Sequence, residues 1–116
     1  MKRLPNYLRA SRKRLALSQH EAAFLAGLYR GSSVSRYEES DREPTLEKAL
    51  ALEVIFKQPM KELFPDLYRE VERDVLARAK TLIYKTDRER PGRAIARKRQ
   101  ALLGIVNPES ANPNQI

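Results

Sequence analysis

The chain contains no cysteine, no tryptophan, one histidine and four glycines in 116 residues. Without cysteine, disulfide frameworks, thiolate metal sites and cysteine nucleophiles are excluded. A single histidine, His20, leaves little room for a histidine-based zinc site or a serine–histidine triad. No apolar run approaches the roughly 18 residues of a membrane span, and the N-terminus lacks a signal-peptide core. There is no glycine-rich phosphate loop, no nucleophile elbow and no His-x-x-x-His spacing. Glu38 and Glu39 are adjacent, so on a helix they diverge by about 100° and share no acid–base site. These absences predict a soluble, cytoplasmic protein of one domain's length that is not an enzyme and has no cofactor or metal.

What the chain has in excess is positive charge: 23 Lys and Arg against 15 Asp and Glu, a formal net charge of +8. Such a surface suits a polyanion, nucleic acid first and an anionic membrane second. The excess is concentrated at two poles. Residues 2–14 hold Lys2, Arg3, Arg9, Arg12, Lys13 and Arg14 with no acid. Residues 88–99 hold Arg88, Arg90, Arg93, Arg97, Lys98 and Arg99 against Glu89 alone. The second pole is open to three readings: further nucleic-acid contact, partner docking or a solvated end.

Apolar residues recur at three and four along the chain, which predicts helices throughout. The first helix spans about Pro5 to Ala16, with Pro5 in its first turn and Leu4, Leu8 and Leu15 inward. Ser18 and Glu21 have capping-box spacing, and the second helix runs from Gln19 to Ala26 and stops at Gly27. Ala22, Ala23 and Leu25 are expected inward on it, and Phe24 has core-like spacing. After the turn Leu28-Tyr29-Arg30-Gly31, a third helix runs from near Ser32 to Glu39. Val34 and Tyr37 form its inner side, and Ser32, Ser33, Ser35 and Arg36 lie outside.

Thr45 caps a fourth helix, about Leu46 to Lys57, with Leu46, Ala49, Leu50, Val54 and Phe56 inward. A fifth begins near Met60, and Leu63 and Phe64 complete the core. Pro65 either begins a new helix or bends the fifth. From Leu67 to about Lys85 the stripe Leu67, Val71, Val75, Ala79 and Leu82 is a helix packed on the preceding domain or a dimer seam. Pro91-Gly92 breaks it, a shorter helix covers about Arg93 to Leu103, and the polar tail 107–116 is expected to be disordered.

Short helices around a glycine turn make a helix-turn-helix signal in their own right. The outer side of the third helix suits base edges: serine hydroxyls donate or accept, and arginine grips guanine O6 and N7 with two parallel hydrogen bonds. His20 reads as solvated. Tyr7 and Tyr29 are expected to be exposed, with Tyr29 in reach of a phosphate. A single-stranded RNA reader needs an exposed aromatic platform, which the apolar spacing does not offer.

The ordered set Leu8 and Arg12, Leu17-Ser18-Gln19, Glu21-Ala22-Ala23, Leu25-Ala26-Gly27, Val34-Ser35-Arg36-Tyr37-Glu38, Pro44-Thr45-Leu46-Glu47 and Glu62-Leu63-Phe64 resembles the Cro/C1-type (XRE-like) helix-turn-helix family over residues 4–64. The resemblance implies a five-helix, lambda-repressor-like domain at 1–64; with the C-terminal amphipathic helical extension at 65–106 read from apolar spacing and the tail 107–116 read from composition, the whole is expected to be an all-α protein. It also implies a third helix in the major groove, a homodimer and a near-palindromic double-stranded DNA operator. Ser32, Ser33, Ser35 and Arg36 would face bases. Lys2, Arg3, Gln19, Tyr29, Arg30 and Arg42 would contact phosphate, with Gln19 also within reach of the first base. Arg12 and Glu38 match a pair that the family buries as an ion pair. From Gly27 to Val34 there is one residue more than the family's usual spacing, so the turn is longer or the third helix starts earlier, near Arg30. Gly31 then falls where a base-reading side chain is often found, and Ser11 stands where a leucine is more usual. The function implied is a sequence-specific transcriptional regulator acting as a repressor. The alternative is an antitoxin-like DNA-binding protein whose segment 66–106 binds a protein partner.

Overall fold

A computed structural model describes residues 4–108. Among them there are seven helices and no strand: α1 Leu8–Arg14, α2 Gln19–Leu25, α3 Gly31–Glu38, α4 Leu46–Phe56, α5 Met60–Leu63, α6 Pro65–Thr86 and α7 Arg93–Val106. The tail expected to be disordered lies, from residue 109 onward, outside the described residues. Two compact units divide between Arg69 and Glu70.

The first unit is built around Leu8, Tyr37, Leu52, Phe56 and Leu63, with Leu17, Leu28, Ile55, Met60 and Phe64 packed against them. A second small cluster, Ala22, Ala23 and Val34, joins α2 to α3. Helix α1 begins at Leu8, later than Pro5, because Asn6 organises its start. The Leu8 backbone N–H donates to Asn6 Oδ1 at 3.0 Å, an Asx-type turn that competes with helix. The helix ends at Arg14, and Ala16 takes a left-handed φ of 58°. Leu15, the residue after the helix, is exposed, and Ser11 and Arg12 are buried. The Ser11 hydroxyl donates to Gln58 Oε1 at 2.6 Å.

Helix α2 starts on a complete capping box: the Ser18 hydroxyl accepts from Glu21 N–H, and Glu21 Oε1 accepts from Ser18 N–H. It stops in a Schellman turn with Gly27 at φ 73°, where Leu28 N–H donates to Ala23 O and Gly27 N–H to Phe24 O. Its buried arc is Ala22, Ala23 and Ala26. Leu25 is therefore exposed, and Phe24, on the side opposite the alanines, is 79 % exposed; neither is a core residue.

In α4 the inward face is Leu52 and Phe56, whereas Leu46 and Val54 are each 76 % exposed and Leu50 is also out. Apolar residues occupy nearly the whole circumference of Leu46–Phe56, so spacing alone does not choose a side. Lys48, one turn before Leu52, lies on the inward side: its ammonium donates to Ala26 O at 3.0 Å and Gly27 O at 3.3 Å, at the C-terminal end of α2 where a cation is favoured. Pro65 begins α6 as a new helix, since Phe64 breaks from helical geometry at φ −127°, ψ 63°.

The second unit holds most of α6, the turn that follows, and α7. Ala79, Thr86 and Leu102 are its buried residues, while Val71, Val75 and Leu82 of the expected stripe are exposed. Helix α7 continues to Val106, three residues past the expected end. Its beginning is tied to the preceding turn by Lys98 to Glu89 at 3.6 Å and by Arg99 to Asp87. No helix among the described residues is long and apolar enough to cross a membrane.

Candidate nucleic-acid interface

Two contacts set the position of α3. Val34 and Tyr37 anchor its inner side in the two clusters. At its C-terminal end Arg12 Nε donates to Glu38 Oε2 at 2.5 Å, and the Glu38 side chain is only 3 % exposed. Arg12 Nη2 reaches Glu38 Oε1 at 3.3 Å, Arg12 Nη1 donates to Leu17 O at 2.9 Å, and Gln19 Nε2 donates to Glu38 Oε1 at 3.0 Å. One carboxylate thus joins α1, α2 and α3. Asn6 adds a second clamp, donating to Tyr37 O at 2.9 Å and Ser40 Oγ at 3.0 Å.

The N-terminal end of α3 is fixed differently. The helix begins at Gly31 with Arg30 as its N-cap residue, so the extra residue of the spacing enters the helix rather than lengthening the turn. A Cβ at Gly31 would lie 3.1 Å from His20 N and 3.3 Å from the Gln19 carbonyl carbon. A side chain there is disfavoured by the close approach of the two helix starts, not by φ. α3 therefore crosses α2 backbone to backbone at one end and is clamped by Glu38 at the other.

With the inner face occupied, Ser32 and Arg36 are exposed, and Ser33 and Ser35 are half-buried at the flanks. Tyr29 is fully exposed at 100 %, and Arg30 and Arg42 are exposed beside the two ends of α3. The loop after α3 is held to it: Asp41 and Arg42 N–H both donate to Arg36 O, at 2.9 and 3.4 Å. Arg30, Arg36 and Arg42 form no ion pair among the described residues. Gln19 is half-buried, with its amide engaged by Glu38, and His20 is exposed. Lys2 and Arg3 lie outside the described residues.

A helix-turn-helix family model matches residues 8–63, a segment that starts with α1 and ends with α5. This segment is a Cro/C1-type helix-turn-helix domain of the XRE family. A domain of this type supports a DNA-binding transcription regulator. Neither the search of curated proteins nor the search of solved structures found a match. In this helix-turn-helix domain, α2 and α3 are the two helices of the motif and the Gly27–Arg30 segment is its turn. No cluster of His, Asp or Glu among the described residues is arranged to hold a metal ion.

Three contributors to the domain's geometry are not evident from helical spacing: Asn6, Lys48 and Gln58. Asn6 carries a local signal, since an Asn two residues before a helix start favours a side chain–backbone turn. Lys48 and Gln58 act across 22 and 47 residues of sequence, on a backbone end and a buried hydroxyl. No local pattern marks them.

Proposed function

We propose that the protein is a sequence-specific, double-stranded DNA-binding repressor that inserts α3 in the major groove as a homodimer. The observation that carries this reading is the outer side of α3. Arg36 stands there exposed, with no ion pair among the described residues, on a helix whose opposite side is fully committed to the core. Arg36 reads a guanine through two parallel hydrogen bonds, and Ser32, Ser33 and Ser35 contact neighbouring base edges. Arg30, Arg42, Tyr29 and Gln19 contact phosphates on either side, and Lys2 and Arg3 join them from the N-terminal pole. Phosphate contacts set the register, and base contacts select the sequence.

For dimer formation, the support is the exposed apolar stripe Val71, Val75 and Leu82 on α6. A second reading, an antitoxin-like protein whose segment 66–106 grips a protein partner, is favoured by exposed Leu103 and Ile105 on α7. Selection from a random duplex library with the full chain tests the leading reading. It predicts one enriched motif with two related half-sites. Enrichment of no motif overturns it. Light scattering then separates the two uses of the second unit: Val75→Glu with Leu82→Glu converts a dimer to a monomer, whereas the partner reading predicts an unchanged mass for the isolated chain.

A further inference from the structure

Helix α7 contains no acidic residue, and its two faces differ sharply. Leu102 is buried and Ile95, Arg99 and Val106 are half-buried on one side. The opposite side presents Arg93 and Arg97, one helical turn and about 6 Å of rise apart, flanked by Ala94, Gln100 and Ala101. Two acids stand in the preceding turn, and both are already engaged: Glu89 by Lys98 and Asp87 by Arg99. Arg88 lies over the Tyr84 ring at 5.0 Å and donates to its hydroxyl at 2.9 Å. Arg90, Arg93 and Arg97 are exposed and form no ion pair among the described residues.

We infer that the outer side of α7, with Arg90, Arg93 and Arg97, is a second nucleic-acid contact that grips the phosphate backbone of duplex DNA. The composition of the face favours phosphate over a protein surface. Protein interfaces have aromatic and apolar anchors at their centre and are depleted in alanine. Beside these arginines stand alanines and a glutamine, which let the helix come close to a charged backbone but give a partner little to bury. The exposed apolar residues of α7, Leu103 and Ile105, lie beyond Arg97 toward the C-terminal end. Arg99 and Lys98 do not join the contact, because their carboxylate partners hold them. Their role is to neutralise the two acids that would otherwise repel the phosphates.

This assignment rests on the duplex-DNA reading and adds a footprint that α3 does not supply. The test compares the full chain with Arg90→Gln/Arg93→Gln/Arg97→Gln on a long mixed-sequence DNA duplex, as the slope of log Kobs against log salt. Each phosphate contact contributes about 0.9 to that slope, so the variant's slope is shallower by about 2.7, and a fourfold rise in salt weakens it about 40-fold less than wild type. A charge-matched variant, Arg73→Gln/Arg78→Gln/Lys80→Gln, keeps the wild-type slope. Circular dichroism confirms that both variants fold, as expected for exposed positions. An unchanged slope in the Arg90/Arg93/Arg97 variant overturns the assignment and leaves the α3 reading intact. Equal slopes in the two triple variants also overturn it, reducing the effect to net charge. A stoichiometric acidic protein retained by wild type and lost by the variant, with an unchanged slope, assigns the face to that partner instead. If the wild-type chain does not bind the duplex at all, this inference and the α3 reading fall together.

Discussion

Arg12 and Glu38, 26 residues apart in sequence, meet in a nearly buried ion pair with Nε 2.5 Å from Oε2, and the same carboxylate accepts from Gln19. The first helix thereby holds the end of α3 from which Arg36 projects. Removing one member leaves the other charge buried and unpaired, which costs about 3–5 kcal/mol. Glu38→Ala is expected to lower the stability of the domain by that amount in urea unfolding. A double-mutant cycle with Arg12→Ala should give a large coupling energy, since each single change forfeits the same contact.

The close crossing at Gly31 makes a second prediction. Alanine is ordinarily a better helix residue than glycine, by roughly 0.5–1 kcal/mol. Here its Cβ would press on the His20 and Gln19 backbone at 3.1 and 3.3 Å, and backbone yields poorly. Overpacking of this kind costs about 1–3 kcal/mol, so Gly31→Ala is expected to be net destabilising by about 1 kcal/mol, and Gly31→Val by more. A melting temperature at or above that of wild type would show that α2 and α3 are free to separate.

Ala16 gives the opposite sign. It holds a left-handed φ of 58° where Ala16 N–H donates to Lys13 O and Leu17 N–H to Arg12 O. A Cβ is disfavoured in that conformation by about 1–2 kcal/mol, part of which glycine returns through its greater unfolded-state entropy. Ala16→Gly is expected to stabilise the domain by about 0.5–1 kcal/mol without changing DNA binding. Denaturant midpoints and a binding titration check both halves of the statement.

The capping box responds to pH. The Ser18 backbone N–H, and then the Ser18 hydroxyl, hold the Glu21 carboxyl below its ordinary value of 4.5. A carboxyl whose pKa is lower in the folded state stabilises above its unfolded pKa and loses that contribution as pH falls through the folded one. Stability should thus decline below about pH 4.5 in part through Glu21. Glu21→Gln, which keeps a hydrogen-bonding side chain but does not titrate, is expected to flatten that part of the profile. A profile of unchanged steepness would assign the acid sensitivity to other carboxylates.

Much of the domain is legible in the sequence because its determinants are local. Ser18 with Glu21, Gly27, and the Val34–Tyr37 spacing specify the start of α2, its end and the inner side of α3 without any distant contact. Fixing that inner side also fixes the outer one, which is how Ser32 and Arg36 are found. The orientation of α4 is not legible, because Leu46, Leu50, Leu52, Val54, Ile55 and Phe56 lie around much of the helix, and the contacts that distinguish its inward face are made with distant residues. Phe24 misleads for a related reason: Ala22 and Ala23 pack with Val34 of α3, and the large side chain is left outside. The start of α1 depends on Asn6, whose side chain outweighs the preference of Pro5 for a first turn. In the second unit, the engagement of Asp87 and Glu89 separates basic residues that the sequence presents as one run.

If α3 reads duplex DNA with Arg36 as its guanine contact, parallel selection of bound duplexes by wild type and Arg36→Ala must separate the two proteins. A bidentate arginine–guanine contact gives about 1–3 kcal/mol of discrimination, so preference at one position of each half-site should fall roughly 5- to 150-fold, with affinity for unselected duplex nearly unchanged. An identical motif from both proteins, or no motif from wild type, would contradict it.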